Sequence, residues 1–414
     1  MKILVCLISG QHVPNLLTVK AINPDRLVLL VTPAMKRQEK DSQFLKALSA
    51  GGLDYSMDDE MIIDQKEENS SKAVYDNLEQ AYAKHADDEW IINLTGGTKP
   101  MSIGAYEFSK RRGLRTLYVA EGNQGQAIDL LGGPSVNLDH KITTREFLAG
   151  YGFDILNEKS LNKAEERALA WATAAAILAK HSEESDLRGL LGRLQMFKEA
   201  AIKLDRNGWE RDGLTITEED DLFLEDAALR DQIASYFGLS TAEDKFTGRL
   251  ERPAVEFLTG KWLEVFVWSL LRPFEGRGIW DLHLGVSAGK SGPGENNDLD
   301  VSFMKNQSLC IVECKTGGQE HDQPADDVLY KIEAVKSGPK ALRVDAYLAT
   351  TSDNVKDPEK GGIREKLLRR SRIYGCKIVP GWKIQEMADL YLSSDSRQNQ
   401  VVADVFGLTM EEPL

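Results

Sequence analysis

The sequence predicts an α/β protein: two sheet-containing domains joined by a helical connector, with boundaries near residues 150 and 260. Three observations predict it. Up to about residue 150, apolar runs alternate with helical stretches; from 151 to 259 the strand signal gives way to helical spacing; from 260 to 414 strand-like runs return.

In the first domain, 1–150, the runs KILVCLI, RLVLLVT, EWIINLT and LRTLYVA are rich in Val, Ile and Leu with little polar alternation. Strands covered on both faces of a parallel sheet read this way. Between them, Ser71 to Ala86 and Lys99 to Arg112 carry spaced apolar residues among charges, and Gly113 closes the second helix. A Rossmann-like domain follows. The connector, 151–259, reads AEERALAWATAAAILAK, LRGLLGRLQMFKEAAIKL and EEDDLFLEDAALRDQIASYF, all with helical spacing. Its acidic run Glu218, Glu219, Asp220 and Asp221 is favoured near a helix start by the dipole and needs no chemistry. The last domain, 260–414, gives a helix KWLEVFVWSLL, a Gly-rich stretch, strands DLDVSFM and SLCIVECKT, a helix, a strand VDAYLAT and a basic helix. This is a second α/β domain.

Length, 414 residues, allows several cores, and 42% hydrophobic with 28% charged residues is a globular composition. The net charge of −14 argues against coating nucleic acid through the overall field and leaves only a local patch for it. No apolar run reaches the 18 or so residues a membrane helix needs, so no membrane partner is expected. MKILVCLISGQ is too short in its apolar run for a signal peptide, so a cytoplasmic protein is expected. Cys6, Cys310, Cys314 and Cys376 form no CxxC pair, and the six histidines form no HExxH. Any metal must sit on carboxylates.

Side chains of a strand alternate, so Asp298 and Asp300 share one face while Leu299, Val301 and Phe303 take the other. Likewise Glu313 and Lys315 project together, opposite Val312 and Cys314. Charged groups on apolar strands suit metal-assisted phosphodiester hydrolysis. Asp and Glu hold hard divalent ions, and Lys positions water and offsets phosphate charge. Glu264, in KWLEVFVW, supplies a third carboxylate. The plain alternative is a salt bridge between strands. Arg277 and His283 have the R-x5-H spacing of a ribonuclease motif that requires a helix, but IWDLHL around them is strand-like. Downstream, Arg364, Lys366, Arg369, Arg370, Arg372, Lys377 and Lys383 oppose only Glu365, either a backbone-gripping patch or a solvated helix face.

Two polar turns interrupt the first domain at carboxyl ends of strands: Ser9-Gly10-Gln11 and Thr95-Gly96-Gly97-Thr98-Lys99. Ligands of open α/β sheets bind at such ends. Glycines let backbone amides approach a phosphate, Thr98 can cap the helix that begins near Pro100, and Lys99 adds a cation. A phosphate or nucleotide ligand fits, as does a plain Gly-rich turn.

NLTGGTKPMS with ILVCLISGQHVPN resembles the CARF sensor domain of CRISPR-associated nucleases. A helix with Glu, a Gly-rich loop, NDLD and then VECK resembles the PD-(D/E)xK nuclease superfamily, with Asn297-Asp298-Leu299-Asp300 standing where many members read N-E-x-D. Asp298 in place of the usual Glu leaves the main aspartate role to Asp300. The combined resemblance implies a homodimer in type III CRISPR defence whose sensor domains bind cyclic oligoadenylate, the tetra-adenylate by preference. By it, Ser9, Gly10, Gln11, Thr95, Gly96, Gly97, Thr98 and Lys99 would line the ring, with Thr32, Pro33 and Met101 beside them. Asp300, Glu313 and Lys315 would be catalytic, with Glu264, and Asp300, Glu313 and Glu264 would hold Mn²⁺ or Mg²⁺. The implied activity is a metal-dependent endonuclease cutting or nicking DNA, with RNA or single strands as well. Its rivals are a ring-binding regulator with a non-catalytic nuclease fold and a ring nuclease that degrades the messenger.

Overall fold

The computed structural model describes residues 1–56, 60–62, 70–120, 125–290, 296–317 and 344–409. The helix expected after VECKT lies outside them. The first sheet has the order β3-β2-β1-β4-β5-β6-β7. Its strands are β1 Lys2–Leu7, β2 Arg26–Val31, β3 Glu60–Ile62, β4 Glu89–Asn93, β5 Arg115–Val119, β6 Gln126–Asp129 and β7 Val136–Asn137. β1 to β5 run parallel, and β6 and β7 return antiparallel.

Alternation along β1 explains why the sheet is covered twice. Leu4 and Cys6 pack with Leu16, Leu17 and Phe44 of α1 (Val13–Ile22), α2 (Pro33–Arg37) and α3 (Lys40–Ala50) being the helices on that side. Ile3, Val5 and Leu7 pack the other way, with Val74 and Leu78 of α4 (Ser71–Lys84) and Met101, Ala105 and Phe108 of α5 (Lys99–Arg112). Because β1 lies at the centre and the strand order reverses there, the loops after β1 and β4 flank the switch point where such sheets open a crevice.

The second sheet has the order β16-β15-β14-β13-β12-β8: β8 Asp154–Ile155, β12 Trp280–Gly289, β13 Asn297–Lys305, β14 Ser308–Lys315, β15 Val344–Thr350 and β16 Cys376–Pro380. β14, β15 and β16 are parallel, and the rest antiparallel. β12 occupies much of the stretch read as Gly-rich, and its register against β13 shifts between Trp280 and His283, where Asp281 takes a positive φ of 54°. Helix α6 (Thr144–Ala149) ends the first domain; α7 (Glu158–Lys180) and α8 (Ser185–Leu204) follow it, then α9 (Arg206–Asp212), α10 (Ala227–Phe237), α11 (Arg252–Glu256) and α12 (Trp262–Leu271). After β15 come α13 (Glu365–Ile373), α14 (Gly381–Leu392) and α15 (Gln398–Phe406).

Two features of 151–259 go beyond helix. β8 joins the second sheet, and β9 Leu214–Ile216, β10 Ser240–Ala242 and β11 Lys245–Leu250 form a small antiparallel sheet. Strands this short give too few periods to register against helical spacing. Glu218–Asp220 of the acidic run form one 3-10 turn that Asp221 closes, and Asp220 accepts from the Thr217 amide at 2.6 Å. No described helix is long and apolar enough to cross a membrane.

The two sheets share a core. Val286, Ala288, Leu299, Met304, Leu309 and Ile311 belong to the same apolar cluster as Leu4, Leu16, Phe44 and Phe147. Polar ties reinforce it: Trp280 Nε1 donates to Ile142 O at 2.8 Å, and Asp281 Oδ2 accepts from the Thr144 amide at 2.5 Å.

Candidate functional site

Two sites emerge, one at the strand ends of each sheet. In the first, β1 runs into Ser9-Gly10-Gln11 and β4 into Thr95–Lys99, while Thr32 and Pro33 stand at the end of β2. A chain of buried amides holds the first two loops together. Asn15 donates to Leu7 O at 3.0 Å, Asn93 donates to Asn15 Oδ1 at 2.7 Å, and the Thr95 amide donates to Asn93 Oδ1 at 3.1 Å. The Thr95 hydroxyl in turn accepts from the Val119 amide at 2.8 Å.

Gly96 has φ +99°, and a Cβ there would stand 2.7 Å from Leu7 O, so glycine is required by conformation and by space. Ser9 closes its own turn: its Oγ donates to Gln11 O at 3.1 Å. The rim therefore consists of Ser9, Gly10, Gln11, Gly96, Gly97 and the exposed Thr98 and Lys99 at the start of α5. Thr95 and Thr32 are buried, Thr32 capping α2 by accepting from the Met35 amide at 3.3 Å, and Met101 is wholly buried beneath Gly97. These three shape the loops from below. Backbone amides, a helix start and a lysine together make an anion-receptive crevice. Asn15 and Asn93 were not singled out from sequence; their one signal was an amide closing the apolar strand EWIIN and another inside the apolar helix VPNLL.

In the second site, the pairing of Val301 with Val312 sets Asp300 opposite Glu313 on one face. Lys315 Nζ lies 2.7 Å from Glu313 Oε1 and 3.8 Å from Asp300 Oδ2, and Asp300 Oδ2 accepts from the Cys314 amide at 2.7 Å. Glu264 approaches from α12. Burial, then the charge of Asp300, pushes the Glu264 carboxyl up to about 8. Burial, then the charge of Glu313, pushes Asp300 up to about 7, with Lys315 pulling the other way. Burial acts to lower the Lys315 ammonium, but Asp300 and Glu313 prevail and hold it above the ordinary lysine range. Asp298 is exposed on the same face as Asp300.

Two carboxylates thus crowd one ammonium and a third, Glu264, is raised by burial and by their charge, an excess of negative charge that a hard divalent cation would relieve, and their oxygens are the donors such an ion takes. The residues fit it by charge and donor type, although among the described residues no three acidic, His or Cys side chains close on one point. His283 has no part in this. It lies on β12 with one ring nitrogen 3.2 Å from Glu165 and the other 3.2 Å from Asp281. Burial opposes its charge, but the two carboxylates win and lift it to about 9.

Family models match both regions. The model for the Card1 CARF domain matches residues 3–147, and that for the Card1-like endonuclease domain matches 251–374. Among solved structures, the chain is similar to Can2 from Sulfobacillus thermosulfidooxidans in complex with cyclic tetra-adenylate. The two are 21% identical, with 98% of this chain and 99% of that chain covered and a TM-score of 0.69. It is also similar to protein VC1899 from Vibrio cholerae, at 18% identity, with 97% and 98% covered and a TM-score of 0.73. At such identity the likeness is one of fold. No curated protein matches the chain.

Proposed function

Because the chain belongs to the CARF-domain nucleases, joining a Card1-type CARF domain to a Card1-like endonuclease domain, we propose that it cleaves nucleic acid when a cyclic oligoadenylate occupies its sensor. The ring is the tetra-adenylate, as in the complex of Can2, and the setting is type III CRISPR defence in the cytoplasm. Two copies of the chain would present the strand-end loops twice to a two-fold symmetric ring. Gly96 and Gly97 bring backbone amides to the ring phosphates, the start of α5 adds its dipole, and Lys99 adds charge.

The observation that carries the nuclease half is the convergence of Asp300, Glu313 and Lys315 on one face of β13 and β14, with Glu264 of α12 near enough to feel their charge. Asp300 and Glu313, with Glu264, would hold Mn²⁺ or Mg²⁺, which when bound lowers the pKa of a water and offsets phosphate charge. Lys315 orients the attacking water and stabilises the developing negative charge. The substrate is DNA, with RNA or single strands also open to it.

Coupling has a physical route. Helix α6 of the first domain packs on β13 and β14, the strands that bear Asp300 and Glu313. The ring must bind the cutting form more tightly than the resting form, or it shifts nothing. The test is incubation with Mn²⁺ and labelled plasmid, single-stranded DNA and RNA, with and without cyclic tetra-adenylate. Cleavage in the presence of the ring alone supports the reading; silence in every lane leaves a ring-binding regulator, and equal cleavage without the ring means the sensor does not gate the nuclease.

A further inference from the structure

Although the chain carries a net charge of −14, one helix of the second domain is strongly basic. Helix α13 is buried only at Leu367 and Ser371, four residues apart on one stripe. Arg369 and Arg372 are exposed outside that stripe, with Lys366 exposed and Arg370 half-buried beside them, and Glu365 is the helix's one acid.

Strand register decides which side of the sheet this helix occupies. Glu313 of β14 pairs with Leu348 of β15, and Leu348 with Ile378 of β16. Paired residues share a face, so these three point the same way. Leu348, with Ala346 and Cys376, packs against Leu367 of α13. Helix α13 therefore covers the face from which Glu313 and Lys315 project, one to two strands away, or about 5–10 Å along the hydrogen-bonding direction. Two lysines of the sequence run are not on this surface. By register Lys377 points to the opposite face, 5.6 Å from the Tyr347 ring centre, and Lys383 belongs to α14, whose Ile384, Met387 and Ala388 pack with Tyr347 on that opposite face.

Electrostatics then asks for an occupant. The Asp300 and Glu313 carboxylates set negative charge in the path of a polyanion, and the cation beside them, Lys315, is engaged by Glu313 at 2.7 Å. A polynucleotide reaching these carboxylates needs a positive surface on the same side. We propose that α13 is that surface: Arg369 and Arg372 grip the phosphate backbone of the nucleic acid and lay it across the end of β14. The proposal rests on the nuclease reading and says where its substrate is held. Arg369 is paired with Glu365 at 2.7 Å, an exposed pair that a phosphate displaces at small cost. Contacts of this kind bind all sequences alike and weaken with salt.

The test measures binding, apart from cleavage. The full chain with cyclic tetra-adenylate and no divalent ion is titrated, over a range of salt, against fluorescent single-stranded DNA, single-stranded RNA and duplex DNA of mixed sequence. The Arg369→Gln/Arg372→Gln chain should bind about tenfold more weakly at physiological salt, and the slope of log affinity against log salt should fall by about 2. Arg→Lys at both positions should restore most of the slope, while melting temperature and ring binding stay at the parent values. The polynucleotide whose binding falls most identifies the preferred substrate. An unchanged slope overturns the proposal, as does a parent chain that binds none of the three probes. If binding falls as expected but Mn²⁺ brings no cleavage, α13 stands as a polynucleotide surface and the nuclease reading is what fails.

Discussion

The Asn93 side-chain amide donates to Asn15 Oδ1 at 2.7 Å, joining the end of β4 to α1 beneath the crevice of the first domain. Both residues are almost wholly buried, and through Leu7 O and the Thr95 amide their side chains reach the two loops on either side of the crevice. Asn93→Ala leaves the Asn15 oxygen and the Thr95 amide without a partner. A loss of about 1–3 kcal/mol is expected. Chemical denaturation would measure it, and calorimetry should find weaker binding of cyclic tetra-adenylate.

Gly96→Ala tests the loop directly. Its Cβ would meet the Leu7 carbonyl at 2.7 Å in a left-handed conformation, so the loop must shift. The expected outcome is loss of ring binding, with ring-dependent cleavage lost alongside it. Gly113→Ala is the control: it shares a positive φ but a Cβ there meets nothing, so it should cost stability without touching the ring.

Asp300→Asn should abolish cleavage yet stabilise the metal-free chain. In the fold, burial and Glu313 raise the Asp300 carboxyl to about 7, above its unfolded value of roughly 3.9. At pH 8 the ionised group therefore opposes folding, and an amide removes that cost while its oxygen still accepts from the Cys314 N–H. A melting temperature at pH 8 below that of the parent would contradict this account.

Two histidines should act in opposite directions with pH. His283, lifted to about 9 by Asp281 and Glu165 against its burial, adds stability that is full below its unfolded pKa of roughly 6.5 and is lost as pH rises through about 9. His12 is buried between Phe44 and Tyr151, its ring nitrogens without hydrogen-bond partners among the described residues, and burial, with Lys40 nearby, lowers it to about 3. The unfolded chain takes up a proton there first, so stability falls as pH drops below about 6.5. Melting curves of His283→Gln should approach the parent above pH 10 or so, and those of His12→Phe should exceed the parent most at low pH.

The sequence by itself determined what neighbours along the chain decide. Alternation with period two set Asp300 on one side of its strand and Glu313 with Lys315 on one side of theirs. The unbroken apolar runs of β1, β2, β4 and β5 marked strands covered on both faces, and the glycines of TGGTK marked a turn that other residues resist. Only the tertiary structure decided what lies across from what. It paired β13 with β14 so that Asp300 meets Glu313, and drew β8 from the connector into the second sheet. It merged Leu299 and Ile311 with Phe44 in one core, set Asn15 against Asn93, and divided the basic run between two faces, leaving α13 beside Glu313 and Lys377 behind. Periodicity reports the face of a strand but not its partner, because register and sheet order come from contacts between residues far apart in the chain.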